Sequence, residues 1–137
     1  MDYLSVNWLA VLLAMIASMA LGAGWYMILS KQWVAATGKT MDELMGGSGG
    51  QAAPFIWGAA MQLVMAYFLA LFTPAIMGEV TIASAVIVGI HAWVGFMITS
   101  MILNHRYQGS SWSLAVIDGG YLLGVMIVQG VVIGLLG

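Results

Sequence analysis

The sequence predicts an all-α membrane protein whose four transmembrane helices form a compact bundle. Only 6% of the residues are charged, whereas 63% are hydrophobic. Four apolar stretches each exceed the roughly 20 residues that a helix needs to cross a ~30 Å hydrocarbon layer. The chain has only three Lys and Arg residues, and all of them lie in two of the connections between these stretches. These observations predict both the number of spans and their topology.

From the lengths of the apolar runs we predict spans at about residues 7–29, 54–76, 81–103 and 113–136. The connections leave no room for a soluble domain, so residues 1–137 are predicted to form one membrane domain. The longest loop, residues 30–53, contains the glycine-rich segment 46–50, which predicts a flexible tether. No basic residue precedes the first span, so we interpret it as a retained helix and not as a signal peptide.

Charge and composition restrict the topology and the partners. Lys31 and Lys39 follow the first span and Arg106 follows the third, so the positive-inside rule places both termini outside the cytoplasm. The reverse orientation remains the alternative. The absence of cysteine excludes disulfides and thiolate metal sites, and the absence of a basic stripe argues against nucleic acid as a partner. Aromatic side chains at the predicted span ends fit interfacial anchors in the lipid bilayer: Trp8, Trp25, Tyr26, Trp33 and Trp112.

Small residues spaced four positions apart occur in two spans, as a run of four in the first span and as two pairs in the fourth. In the first span they are Ala10, Ala14, Ser18 and Gly22, and in the fourth they are Gly120, Gly124, Gly130 and Gly134. Such stripes allow close helix packing in membranes. They predict either packing within the bundle or contact with a second copy or a larger membrane complex.

Polar side chains within spans are costly and therefore suggest function. Asp118 shares a face of the fourth span with Gln129, and Arg106 and His105 lie at a similar depth, close enough in depth for an ion pair or a hydrogen bond. His91 lies in the middle of the third span on the face of Gly95, from which we expect its imidazole to point into the protein. Gln62, His91 and Asp118 are predicted to line one small polar cavity. The alternative is that these groups only lock the fold.

A histidine in a membrane span can also ligate haem or a chlorophyll magnesium. His105 is the other histidine of the chain, and at 1.5 Å per residue it lies about 21 Å further along a continuous helix. A haem held by both histidines of one chain is therefore excluded. Methionine is abundant, but its pairs are spread over different segments, so we expect no copper site.

Several short motifs follow one another in the order of one uncharacterised bacterial membrane family. They are Asn7-Trp8-Leu9-Ala10-Val11, Leu21-Gly22-Ala23-Gly24-Trp25-Tyr26, Trp93-Val94-Gly95-Phe96, Leu103-Asn104, Trp112-Ser113-Leu114 and Ile117-Asp118-Gly119-Gly120-Tyr121. On these residues the chain resembles the family catalogued as domain of unknown function 1761. The resemblance implies a four-span protein of the bacterial inner membrane with no established activity. Relatives often have asparagine where this chain has Asp118, so the resemblance does not imply an essential carboxylate.

The resemblance also implies where a common site would lie, namely at the cytoplasmic ends of spans one, three and four. The residues that it places there are Trp25, Tyr26, Asn104, Asp118 and Tyr121. The alternative is a polar knot that closes the bundle at this end.

The sequence leaves three hypotheses about function. We favour a small non-enzymatic membrane protein that self-associates or serves as an accessory subunit of a larger complex. The alternative is a small transporter or channel for protons or a small solute that uses Gln62, His91 and Asp118. An enzyme or cofactor carrier is least favoured, because no G-x-S-x-G, H-E-x-x-H, phosphate loop or paired carboxylate is present, and we expect no metal or cofactor.

Overall fold

The fold is known from a computed structural model, which describes residues 2–45 and 52–137. The predicted tether 46–50 lies outside the described residues. The helices are α1 (Trp8–Ile28), α2 (Ser30–Thr37), α3 (Met41–Met45), α4 (Ala52–Met77), α5 (Ile82–Ala92), α6 (Ile98–Gln108) and α7 (Trp112–Leu136). A π turn, Trp93–Met97, joins α5 and α6 into one continuous helix, Ile82–Gln108, which we call the third span.

Four of these helices, α1, α4, the third span and α7, are long and apolar enough to cross a membrane. They form a multi-pass membrane protein, as the sequence predicts. In the bundle α1 contacts α4, α4 contacts α5, α5 contacts α7 and α7 contacts α1. We call the end of the bundle where α1 ends and α7 begins the Asp118 end, and the opposite end the Asn7 end.

The helix ends follow from local capping. The Asn7 side chain accepts a hydrogen bond from the Ala10 N–H, and its Nδ2 donates to the Leu136 carbonyl at 2.9 Å, which joins the start of α1 to the end of α7. Thr81 and Ser84 form a reciprocal capping box at the start of the third span. Gly109, with φ of 69°, ends that span five residues beyond the predicted boundary, because the left-handed conformation favours glycine.

The predicted stripes of small residues lie inside the bundle. Ala10, Ala14 and Ser18 of α1 are fully buried. A Cβ added at Gly130 would lie 3.0 Å from the Val86 backbone, and one at Gly134 would lie 2.3 Å from the Ile82 backbone. Gly120 and Gly124 face Trp25 and Leu21 of α1. The glycines of α7 therefore let this helix approach α1 and α5 closely. All four glycines pack against helices of the same chain.

The two ends of the bundle differ in their cores. A cluster of buried apolar side chains fills the half toward the Asn7 end: Val11, Ala14, Ala66, Leu69, Ala70, Ala85, Val88 and Ile133. Toward the Asp118 end the third span separates from α4, because within the described residues α4 packs against α5 whereas α6 packs mainly against α7. This separation leaves much of the second half of the third span exposed.

Candidate functional site

A tyrosine and a carboxylate meet inside the Asp118 end of the bundle. The Tyr26 hydroxyl, from the last turn of α1, donates a hydrogen bond of 2.5 Å to Oδ1 of Asp118, which lies nearly two turns into α7. Both side chains are partly buried. The pair forms because α1 and α7 pack side by side in opposite directions, which brings the end of one beside the start of the other.

A second tyrosine extends this arrangement toward α4. Tyr121 lies one helical turn beyond Asp118, and its ring meets the edge of the Tyr26 ring at 5.1 Å between centroids. The Gln62 Nε2 donates to the Tyr121 hydroxyl at 2.6 Å. Gly22 makes room for this hydroxyl, since a Cβ at Gly22 would lie 2.8 Å from it. The glycine that sequence reasoning assigned to packing therefore also shapes the polar site.

The deepest polar group is Gln129, which is fully buried. Its Nε2 donates to the Ser18 hydroxyl at 3.1 Å and to the Gln62 carbonyl at 2.9 Å. The Oε1 atoms of Gln62 and Gln129 are buried and have no hydrogen-bond partner among the described residues. Buried polar atoms are nearly always paired, so two unpaired amide oxygens mark this position as unusual.

Together these side chains form what we call the polar chain: Tyr26, Asp118, Tyr121, Gln62, Gln129 and Ser18. From Asp118 to Gln129 it covers eleven residues of α7, or about 16 Å at 1.5 Å per residue, which is about half of a ~30 Å hydrocarbon layer. Beyond Gln129 the apolar cluster that contains Val11, Ala14 and Ile133 fills the core. The polar chain therefore reaches into the bundle from the Asp118 end and stops.

Two indoles hold the segment that carries Asp118. The Nε1 of Trp25 donates to the Ile117 carbonyl at 3.1 Å, and the Nε1 of Trp93 donates to the Gly119 carbonyl at 2.8 Å. Trp93 is the first residue of the π turn. Bonds to the carbonyls on both sides of Asp118 fix the orientation of this part of α7, a role that the interfacial-anchor interpretation of Trp25 misses.

The remaining predicted anchors lie at the ends of the bundle. Trp8 is half exposed and stacks on Tyr67, with 5.4 Å between ring centroids. Trp33 meets the edge of the Tyr26 ring at 5.8 Å and so covers one side of the Tyr26 and Asp118 pair. Trp112 is exposed at the start of α7.

The expectation that the His91 imidazole points into the protein is wrong. His91 is exposed, and its Nδ1 lies 2.7 Å from the carbonyl of Ile87 on its own helix. The buried face of α5 is instead formed by Ser84, Ala85, Val88 and Gly89. The helix buries its small apolar residues, because they let it approach α4 and α7 closely, and this leaves His91 on another face. His91 therefore does not share a cavity with Gln62 and Asp118.

The prediction that Arg106 contacts Asp118 is also wrong. Arg106 is exposed; its Nη2 donates to the Ser110 carbonyl at 2.5 Å, and its guanidinium carbon lies 3.9 Å from the centre of the Trp112 ring. These local contacts satisfy the cation near the helix end, where carbonyls are free to accept. Asn104 is exposed too, so it does not join the polar chain.

Sequence reasoning named four members of the polar chain: Gln62, Asp118, Tyr121 and Gln129. It named Tyr26 both as an interfacial anchor and, through the family resemblance, as part of a common site with Asp118, but it did not predict the hydrogen bond between them. It assigned Ser18 only to packing, although a hydroxyl on the buried stripe of α1 was a signal for a polar contact. Within residues 2–45 and 52–137, no three His, Asp or Glu side chains lie together as metal ligands. The site consists of neutral donors and acceptors with one carboxyl group.

Comparison with known proteins places the chain within one family. The model of a family described as protein of unknown function (DUF1761) matches residues 9–134, which include every member of the polar chain. Comparisons with curated proteins and with solved structures give no match.

Proposed function

The chain belongs to the DUF1761 family, whose function is unknown, and we propose that it is a small non-enzymatic subunit that associates with a second copy or a larger membrane complex through its third span. The observation that supports this proposal is a stripe of exposed residues in the middle of that span. His91, Gly95 and Thr99, spaced four residues apart and all exposed, form what we call the span-three stripe.

The stripe lies at a depth where lipid tails would surround it. His91 is nine residues from Ile82, or about 14 Å along the helix, so it lies near the centre of a ~30 Å layer. Thr99 satisfies its hydroxyl with the carbonyl of Gly95 at 2.9 Å. The His91 Nδ1 is satisfied by Ile87, but Nε2 forms no hydrogen bond within the described residues. An imidazole exposed to hydrocarbon is costly, and a neighbouring helix would remove this cost.

The span-three stripe also allows another helix to approach closely. A Cβ added at Gly95 would meet no atom within 4 Å, so the open space beside this glycine is available to another helix. Of an 18-residue apolar stretch of the third span only 11% is buried, against 33% of the corresponding stretch of α7. The glycines of α7 are used within the chain, so the third span is the better candidate for association.

The association is tested by the Gly95→Leu variant in mild detergent. We expect native mass spectrometry to show an assembly for the unmodified protein and a single chain for Gly95→Leu. Gly24→Leu is the matched control, because a Cβ at Gly24 also meets no atom within 4 Å and Gly24 lies outside the stripe. A Gly95→Leu protein that keeps the mass of the unmodified protein would contradict the proposal.

Disulfide trapping gives a second test in native membranes. The chain has no cysteine, so a single Gly95→Cys substitution introduces one reactive thiol. We expect it to form a crosslinked dimer, or a crosslink to a partner, more efficiently than Val116→Cys, whose parent side chain is 72% exposed on α7. Equal crosslinking at both positions would count against a specific interface.

The polar chain supports a second candidate function, passage of protons or a small solute. Its hydroxyl and amide groups reach about half of the way through the bundle from a carboxyl group at Asp118. The apolar cluster beyond Gln129 requires that the helices rearrange during each passage. Flux into proteoliposomes should then fall in Gln62→Leu and stay unchanged in His91→Leu, which lies outside the polar chain. Flux that is indifferent to Gln62→Leu would remove this candidate.

A further inference from the structure

A groove opens between the second half of the third span and α7, where the third span separates from α4. Its volume is about 400 Å³. Seven of its lining residues belong to the third span and one to α7: Phe96, Met97, Ser100, Met101, Asn104, His105, Gln108 and Leu122. The groove lies outside the polar chain and contains none of the residues of the span-three stripe.

The chemistry of the groove changes along its length. Asn104, His105 and Gln108 lie at the Asp118 end, where the third span ends, and present amide and imidazole groups. Phe96 and Met97 lie about 18 Å deeper, twelve residues before Gln108, and together with Leu122 they present apolar surface. A molecule that matches the groove is therefore polar at the membrane boundary and apolar toward the centre of the membrane.

The groove is open to the side. Phe96 is 79% exposed although it lies well inside the span, because α4 packs against α5 and covers little of the π turn or of α6. A lateral opening at this depth faces lipid and not water. The molecules that surround a membrane protein there, and that have this distribution of polar and apolar groups, are phospholipids.

We propose that this groove binds one phospholipid, with its phosphate and ester oxygens at Asn104, His105 and Gln108 and one acyl chain against Phe96, Met97 and Leu122. The Nδ1 of His105 is buried and has no hydrogen-bond partner among the described residues. A proton on Nδ1 would be buried without an acceptor, so the neutral ring carries its proton on Nε2 and acts as a donor. The phosphate oxygens of a lipid are suitable acceptors.

Charge supports the same occupant. Arg106 follows His105 directly, with its Nη2 bonded to the Ser110 carbonyl. Lys31 and Lys39 lie in the connection that leaves the same end of the bundle, which also carries Asp42 and Glu43. Positive side chains near the membrane boundary attract the phosphate layer of a lipid bilayer. A soluble phosphate compound would satisfy the polar end only and would leave the apolar part of the groove unfilled.

Two adjacent residues separate this proposal from the proposed function. Ser100 lines the groove, whereas Thr99 belongs to the span-three stripe. Both hydroxyls bond to carbonyls of their own helix, Ser100 to Phe96 at 2.6 Å and Thr99 to Gly95 at 2.9 Å. Replacing either with phenylalanine therefore removes the same kind of bond and adds a similar aromatic bulk, but on different sides of the helix.

The experiment is a lipid titration of the delipidated full-length protein, followed by native mass spectrometry, with phosphatidylglycerol in mild detergent. We expect one tightly bound lipid per chain for the unmodified protein and for Thr99→Phe. Ser100→Phe fills the groove and should abolish this binding. His105→Leu should weaken it roughly three- to tenfold, the effect of losing one hydrogen bond.

The outcomes are distinguishable. Equal lipid binding by Ser100→Phe and the unmodified protein would overturn the groove proposal, as would several weakly bound lipids with no single tight site. If Ser100→Phe changes the oligomeric mass and leaves lipid binding intact, then the groove holds another protein chain and the lipid proposal is wrong. Loss of assembly in Thr99→Phe would support the proposed function. Loss of lipid in Ser100→Phe, with lipid binding kept in Thr99→Phe, would support the groove proposal. If neither the unmodified protein nor any variant assembles, but Ser100→Phe alone loses the bound lipid, then the proposed function is wrong and the groove proposal stands.

Discussion

Replacing Gly130 with leucine tests whether the glycines of α7 hold the bundle itself together. A Cβ at Gly130 would lie 3.0 Å from both the N and the Cα of Val86 and 3.1 Å from the carbonyl carbon of Ala85. All three are backbone atoms of α5, so no side-chain rotation can relieve the contact. A leucine adds three further carbon atoms beyond this Cβ. The two helices must move apart along their contact to accommodate it.

The expected loss follows from two opposing contributions. Overpacking of a tight core costs typically about 1–3 kcal/mol and sometimes more, and leucine at this contact belongs at the upper end. Replacing glycine within a helix returns about 1 kcal/mol. We therefore expect Gly130→Leu to lower the free energy of unfolding by about 2 kcal/mol. Gly24→Leu, where the added atoms meet open space, should be neutral or raise it by up to ~1 kcal/mol.

The assay is reversible unfolding in mixed micelles, followed by circular dichroism as the denaturing detergent is increased. The two leucine variants should differ by about 2–3 kcal/mol, the loss at Gly130 plus a gain of up to ~1 kcal/mol at Gly24. Two variants that unfold alike would refute the reasoning. If Gly130→Leu changed only the oligomeric mass and not the unfolding curve, then the glycine face would be an external interface.

Three further contacts are tested with the same unfolding assay, each by a substitution and a comparison variant. Tyr26→Phe removes the donor to Asp118 and should cost about 1–3 kcal/mol, whereas Asp118→Asn keeps an acceptor oxygen and should cost less than ~1 kcal/mol; equal losses would show that charge and not the hydrogen bond matters. Asn7→Ala removes both the cap of α1 and the bond to the Leu136 carbonyl and should cost about 1–2 kcal/mol, with Asn7→Ser restoring the part due to capping. Trp93→Phe removes the donor to the Gly119 carbonyl and should cost about 1 kcal/mol, while Trp112→Phe, an exposed indole at the start of α7, should cost less; if Trp112→Phe costs as much, the bond to Gly119 contributes nothing of its own.

Part of the polar chain could be predicted, because placing a strongly polar side chain within a membrane span costs free energy and such residues are therefore rare. A carboxyl group or an amide in a span is expensive, so Gln62, Asp118 and Gln129 are conspicuous in the sequence. Their partners are not conspicuous in this way. A tyrosine near a span end is usually an interfacial anchor, and only the crossing of α1 and α7 shows that Tyr26 reaches Asp118.

The errors at His91 and Arg106 have a common cause. The depth of a residue in the membrane can be predicted from its position along the helix. The direction of its side chain depends on which face of that helix the neighbouring helices cover. Arg106 and Asp118 lie at similar depths, yet the guanidinium is taken up by Ser110 and Trp112. His91 is surrounded in sequence by small residues on its face, yet the bundle buries the face with Ala85 and Val88.

The sequence by itself determined that the chain is helical and crosses the membrane four times, because hydrophobic length and the cost of unpaired backbone groups in lipid allow few other structures. It also determined which residues permit close packing. Only the tertiary structure decided that α7 uses its glycines against α1 and α5, that the third span separates from α4, and that a polar chain and a laterally open groove result. These features depend on the directions of side chains around each helix, and those directions are fixed only when four helices pack together.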